Sequence, residues 1–192
     1  ETILEACALK EEGEVRAVVA VGCLVQRYKD ELAAEIPEVD LFMGLTEMQG
    51  LVPELRSRGL LPPPEAVPNM ERPLRILSTD TPHTSFLKIS EGCDHTCAFC
   101  AIPRIKGTAV SRPIESVVAE AVQLQSMGVR ELILIAQDST DYGYDLGLKD
   151  GLAHLLDAIV AAAPDIPWIR VMYAYPGYVT PRLMETMARH PQ

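Results

Sequence analysis

Apolar residues recur along this chain in two spacings, and the two alternate. Over Glu1–Glu12 they fall at Ile3, Leu4, Cys7 and Ala8, one face of a helix. Val15–Val21 is a β-rich run ending at Gly22-Cys23. Arg27–Glu35 is helix-like and stops at Pro37, Val39–Met43 is a short apolar strand, and Thr46–Arg58 reads as a helix capped by Thr46 and ended by Gly59. The pattern then restarts. Ser85–Ser90 is a strand, and Pro113–Met127 is a helix with proline suited to its first turn and Gly128 to its end. Val117, Val118, Ala121 and Leu124 form the stripe that this helix buries. Glu131–Ala136 is an almost unbroken apolar strand, as expected where both sheet faces are covered. A helix over Gly151–Ala163, a strand over Trp168–Tyr173 and a helix over Pro181–Ala188 complete the order.

Strand and helix in alternation imply a parallel sheet. The last three strands recur roughly every 40 residues with a helix between each pair, the spacing of right-handed βαβ units. The fold class is therefore α/β, with a half-barrel or open sheet in the second part. Gly59–Pro73 interrupts the alternation. It holds Pro62, Pro63, Pro64, Pro68 and Pro73, five of the 15 prolines, and proline blocks both helix and central strand. The expected organisation is a first domain over 1–60, a proline-rich linker over 61–80 and a second domain over 81–192.

Composition narrows the class. Of the 192 residues 48% are hydrophobic and 23% charged, enough apolar material for a buried core. No apolar stretch approaches the length needed to span a bilayer, and the start resembles no signal peptide. The chain reads as soluble and cytoplasmic, with no membrane partner. The net charge of −10 argues against a free-standing nucleic-acid binder, because such binding draws on phosphate neutralisation. The chain also reads as a piece of a longer protein. Glu1 is not Met, Glu1–Leu9 resembles a helix interior, and Pro181–His190 is a helix with little after it. An open sheet edge at Trp168–Tyr173 would then favour aggregation of the isolated piece.

The five cysteines are Cys7, Cys23, Cys93, Cys97 and Cys100. An odd number with three inside one short window is a poor disulfide framework and points to metal or redox chemistry. In Ser90–Cys100, SEGCDHTCAFC, a CxxxCxxC spacing lets three thiolates from one loop converge on one inorganic body. Iron–sulfur clusters usually take four thiolates. Three leave one iron with an open position where a substrate or cofactor can bind. The loop follows a strand directly, at the sheet edge where parallel α/β folds build their sites. His95 inside the loop keeps a Cys3His zinc site open as an alternative, although it is crowded between Cys93 and Cys97. Cys7 reads as a core thiol, and Cys23, from its own surroundings, as a buried cysteine at a strand end.

The run FLKISEGCDHTCAFCAIP (Phe86–Pro103) followed by KGTAVSRP (Lys106–Pro113) resembles the cluster loop of the radical S-adenosylmethionine superfamily, and more narrowly that of the methylthiotransferases. AQDSTDYGYD (Ala136–Asp145) and VMYAYP (Val171–Pro176) are similar to the RimO branch, which modifies an aspartate of a small-subunit ribosomal protein. The alternative branch, MiaB-like, modifies a tRNA adenosine and typically differs at both segments. Lys106-Gly107 stands where the family more often has Arg-Gly, a mild departure.

The resemblance covers essentially the whole chain and implies three parts: an N-terminal domain with a second [4Fe–4S] cluster, a radical-SAM partial barrel of TIM-like (β/α) units, and a small TRAM domain. The present sequence would supply the end of the first part and the first three βα units of the second. Cys93, Cys97 and Cys100 would ligate the catalytic [4Fe–4S] cluster, whose open iron binds S-adenosylmethionine. Gly22-Cys23 in VAVGCLVQ matches the last of three N-terminal cysteine motifs, so Cys23 would ligate the second cluster with two cysteines upstream. Gln137 and Asp138 end the second barrel strand and would face the cofactor; Asp138 could equally cap the following turn. Tyr173 and Tyr175 would line the substrate cavity or pack, and Phe99 would shield the cluster. The implied partners are a small ribosomal subunit protein as substrate and a reductant such as flavodoxin or ferredoxin. The other reading is a non-catalytic electron-transfer protein. With both ends missing, this segment alone is expected to be inactive.

Overall fold

The structure is a computed structural model that describes residues 1–62 and 77–192. Most of the linker expected over 61–80 therefore lies outside the described residues. These form two compact units.

The first unit alternates as the sequence predicts. It runs α1 (Thr2–Glu11), β1 (Val19–Val21), α2 (Cys23–Glu35), β2 (Leu41–Met43) and α3 (Leu51–Ser57). The strands β1 and β2 pair in parallel, Ala20 opposite Phe42. Cys7, Val18, Ala20, Val25, Val39 and Phe42 form its core. Cys7 is thus the core thiol expected of it. The buried face of α1 is narrower than its spacing suggests, since Leu4 is exposed while Ala6 packs inward.

Three boundaries differ, each for a local reason. The β1 strand is only three residues long, because pairing begins where Asp40 accepts from the Val18 backbone N–H at 2.8 Å. The α2 helix starts at Cys23 rather than Arg27, and its backbone departs from helical geometry at Tyr28. Thr46 caps nothing. The Glu47 carboxylate takes that role by accepting from Gly44 N–H at 2.8 Å, and a 3-10 turn over Leu45–Gly50 precedes α3.

The second unit is a three-stranded parallel sheet with helices. It contains β3 (Thr84–Lys88), β4 (Ser90–Glu91), the start of α4 (Ile102–Lys106; residues 104–106 group with the first unit), β5 (Val110–Ser111), α5 (Ile114–Ser126), β6 (Glu131–Ile135), α6 (Gly151–Ala162), β7 (Trp168–Val171) and α7 (Pro181–Arg189). The order is β3-β6-β7, all parallel, with Leu87 opposite Leu134 and Leu134 opposite Val171. Alternation decides which side is buried. Ser85 and Leu87 of β3, and Leu132 and Leu134 of β6, point into one core. Val117, Ala121 and Leu124 of α5 and Leu155 and Ile159 of α6 meet them, with Val118 only partly buried. Each such large side chain, fully withdrawn from water, contributes about 1.5–3 kcal/mol.

The other face of the sheet is less covered than the apolar run of β6 suggests. Ile133 and Ile135 are half-buried and Phe86 is exposed. Three strands do not curl far enough to enclose that side, as a closed barrel would. Two elements have no counterpart in the sequence reading: the short helix α4, and the antiparallel pair β4–β5, Ser90 opposite Ser111. Among the described residues no helix is long and apolar enough to cross a membrane.

Candidate metal and cofactor site

The site is built where β3, β6 and β7 end. Beyond β3 the chain crosses into β4, turns at Gly92 and enters the cysteine loop. Gly92 has φ +78°, and a Cβ there would lie 2.0 Å from the Thr108 carbonyl oxygen. Only glycine fits this close crossing of two backbone segments. The Cys93 N–H then donates to the Gly107 carbonyl at 3.2 Å, and the Cys100 N–H to the Cys97 carbonyl at 3.1 Å. The loop is thus closed by its own backbone.

Cys93, Cys97 and Cys100 line one cavity of about 310 Å³, together with Gln137, Tyr173 and Tyr175. Cys93 is half-buried, and the other two thiols are exposed. All three are free. Burial pushes the Cys93 thiol up, with Asp138 and the Cys100 and Cys97 thiols adding to the rise, while a backbone hydrogen bond at His95 acts against it. Metal binding would reverse that preference, since it takes the thiolate. Gln137 contributes a second sign of a ligand site. Its Oε1 is buried and has no hydrogen-bond partner among the described residues. A buried carbonyl oxygen without a donor is costly, and a ligand amino group would satisfy it.

Asp138 behaves differently from its neighbour. Its carboxylate is nearly buried and committed to the protein. One oxygen accepts from both the backbone N–H (2.8 Å) and the hydroxyl of Thr140, closing a turn. The other lies 2.6 Å from His95 Nε2. A carboxylate only accepts, so Nε2 carries the proton. The His95 ring stacks on Tyr175 at 4.9 Å and meets the edge of Tyr178 at 5.2 Å.

Thr140 Oγ1 in turn accepts from the Tyr175 N–H at 3.1 Å. Ser139 donates its N–H to the Tyr173 carbonyl (3.0 Å) and its hydroxyl to the Met172 carbonyl (2.6 Å). Residues 138–140 therefore tie the end of β6 to the cysteine loop on one side and to the end of β7 on the other. Tyr173 sits inside these ties with φ +60°, a left-handed conformation unusual for a bulky residue. Its ring and that of Tyr175 line the cavity instead of packing in the core.

A larger cavity of about 860 Å³ lies beyond His95, which lines both. Asp94, Asp141, Asp150, Lys149 and Tyr144 are on its wall. Burial, and the negative charge of Asp138 next, pushes the Asp141 carboxyl up. The loop between β6 and α6 is fixed by other contacts. Tyr142 donates its hydroxyl to the Arg112 carbonyl at 2.7 Å, and Asp145 accepts from the Ser111 N–H at 2.8 Å. Asp145 is thus committed to shaping the loop.

The expected site residues divide as follows. Cys93, Cys97, Cys100, Gln137 and Asp138 come together at one sheet edge. Cys23 belongs to the first unit, where it is the exposed first residue of α2 and not a buried strand-end cysteine. Phe99 is fully exposed. Among the described residues no three His, Cys, Asp or Glu side chains meet at the point one ion would occupy. The pairing of His95 with Asp138 and the part played by Thr140 and Tyr178 were not visible in the sequence. The only signal was the histidine within the loop, read there as a possible zinc ligand.

The sequence pattern of the Radical SAM superfamily matches residues 87–192, from the end of β3 to the last residue given. The chain belongs to the radical SAM superfamily. Relatives resemble it along its whole length. A protein of Solibacter usitatus named ribosomal protein uS12 methylthiotransferase RimO is 44% identical over 201 residues, which covers 99% of this chain and 41% of the relative. Proteins of the same name from Anaeromyxobacter sp. (strain Fw109-5) and Myxococcus xanthus are each 45% identical over 196 residues, covering all of this chain and 41% and 40% of theirs. The chain thus spans about two-fifths of the length of these relatives.

Proposed function

We propose that this chain is part of a radical S-adenosylmethionine methylthiotransferase of the RimO type, acting on an aspartate of a small-subunit ribosomal protein. The observation that carries the proposal is the three free thiols of a CxxxCxxC loop lining one cavity with the unpartnered Gln137 carbonyl oxygen. The relatives' shared name supplies the substrate class. Cys93, Cys97 and Cys100 would hold a [4Fe–4S] cluster, and Gln137 would accept from a polar group of S-adenosylmethionine. Bound there, the cluster and cofactor supply a carbon radical able to take hydrogen from an unactivated C–H bond. The protein's own task is to position and shield. Tyr173 and Tyr175 wall the cavity, and the turn at Asp138 holds them there. Asp138 would face the cofactor beside Gln137 and also holds His95 and Thr140 in place.

Cys23 would ligate a second [4Fe–4S] cluster with two thiols from the rest of the protein. Its exposure at the start of α2 supports that reading over a packing role. Reducing equivalents would come from a flavodoxin or ferredoxin, and the domain boundary falls in the proline-rich stretch between the two units.

The test uses the full-length protein, reconstituted anaerobically. Replacing Cys93, Cys97 or Cys100 by alanine should remove the iron of one cluster and abolish cleavage of S-adenosylmethionine. Mass spectrometry of the ribosomal protein and of tRNA after reaction decides the substrate. A methylthio group on tRNA adenosine with the ribosomal protein unmodified would sink the assignment.

A further inference from the structure

Two strand ends and the cysteine loop meet at a single imidazole. His95 lies midway between Cys93 and Cys97, and its Nε2 is 2.6 Å from the Asp138 carboxylate at the end of β6. Its face rests on Tyr175 beyond β7, and Tyr178 closes its edge. The Asp138 carboxylate is fixed by the N–H and hydroxyl of Thr140, whose Oγ1 accepts from the Tyr175 N–H. The connections close into a ring: His95 to Asp138, to Thr140, to Tyr175, and back to His95 by stacking. No other side chain in the loop is tied to both neighbouring strand ends among the described contacts. His95 also forms wall common to the thiol-lined cavity and the larger one beyond it.

We infer that His95 is a positioning residue for the cluster site: held by Asp138 and stacked on Tyr175, it fixes the Cys93–Cys97 arm of the loop against the ends of β6 and β7. This rests on the reading of the three cysteines as cluster ligands. The imidazole acts through the placement of other groups. It sets the spacing between the thiols and Gln137, two groups that sit on different segments and share one cavity. Without the clamp the loop keeps its backbone closure at Cys93 and Cys100, so the thiols remain available, but their placement relative to Gln137 becomes variable. Groups that orient metal ligands in this way act on the quality of a site more than on its existence.

The experiment compares wild type, His95→Ala, His95→Gln and Asp138→Asn in the full-length protein. Glutamine reaches as far as Nε2 and can donate to Asp138. Asparagine at 138 can accept from Thr140 and donate to a His95 whose proton has moved to Nδ1. The readouts are iron per chain, the electron paramagnetic resonance spectrum of the reduced cluster with and without S-adenosylmethionine, and KM and kcat for its cleavage. His95→Ala should keep the wild-type iron content, show a broadened spectrum that responds weakly to S-adenosylmethionine, and raise KM roughly tenfold with a smaller effect on kcat. His95→Gln and Asp138→Asn should recover most of both. A wild-type spectrum and KM in His95→Ala would overturn the positioning role, as would a His95→Gln variant as impaired as alanine. Should His95→Ala fail to fold, the two isosteric variants decide on the same readouts. If wild type itself takes up no cluster at the loop, the ligand reading fails and this inference fails with it.

Discussion

Replacing Gly92 by alanine tests whether the cysteine loop depends on one close backbone crossing. The left-handed conformation at Gly92 alone costs an alanine about 1 kcal/mol. The larger cost is steric. The new Cβ would sit 2.0 Å from the Thr108 carbonyl oxygen and 2.8 Å from that of Gly107. Both are backbone atoms, so no rotamer change relieves the clash. The segment would have to retreat by about 1 Å, breaking the Cys93 to Gly107 hydrogen bond and loosening the β4–β5 pair. At about 1 kcal/mol for each hydrogen bond lost, the local penalty comes to roughly 3 kcal/mol. Hydrogen exchange on the full-length protein reads this directly. Amides over residues 107–112 should lose protection by roughly 100-fold, and iron bound at the loop should fall. Gly128→Ala is the control: φ is +88° there, but nothing lies within 4 Å of the added Cβ, so only the conformational cost of about 1 kcal/mol applies. Gly92→Ala with wild-type exchange and iron content would refute the account.

Tyr142 is buried, and its hydroxyl pKa is raised to about 12, by burial first and foremost. A raised tyrosine holds its proton longer when folded, so its contribution is full below about pH 10 and is lost as pH rises towards 12; urea midpoints should drop across that window by about 2 kcal/mol, and Tyr142→Phe should flatten the drop. The Asp157 carboxyl is held below its usual range by its hydrogen bond to His190, with Arg189 and Arg182 assisting, while burial opposes. That tie between α6 and α7 is present above about pH 4 and is lost as pH falls through the lowered folded value, so Asp157→Asn should lower the melting temperature at neutral pH and weaken its acid dependence. Leu134→Ala, at a fully buried position of β6, should cost about 3 kcal/mol in a denaturant titration.

Much of the second unit was legible because its signals are local. The ELILI run of β6, the stripe of Val117, Ala121 and Leu124, and the CxxxCxxC spacing each lie within one short window. What stayed hidden was made by residues distant in sequence. The β4–β5 pair joins two-residue segments about twenty positions apart, too short and too polar to show a period. His95 and Asp138 are 43 positions apart, and nothing near either names the other. Asp138 was open to two readings, a cap or a cofactor contact. The turn it closes at Thr140 belongs to the first, and its bond to His95 belongs to neither. Gln137 and Asp138 are adjacent and line the same cavity, but only Asp138 has its side-chain oxygens engaged by other residues of the chain. Phe99 was expected to cover the cluster from its position alone; its side chain is fully exposed.

Tyr173 shows where this chain departs from the most stable version of itself. Glycine at that position would accept φ +60° without penalty, and the hydrogen bonds from Ser139 use only backbone carbonyls, so they would survive the change. A chain optimised for stability alone would therefore carry glycine there. Keeping an aromatic ring at the mouth of the thiol-lined cavity, in a conformation it tolerates poorly, trades folding free energy for a wall of defined shape. Tyr173→Gly should accordingly yield a protein that melts higher and binds its cofactor worse.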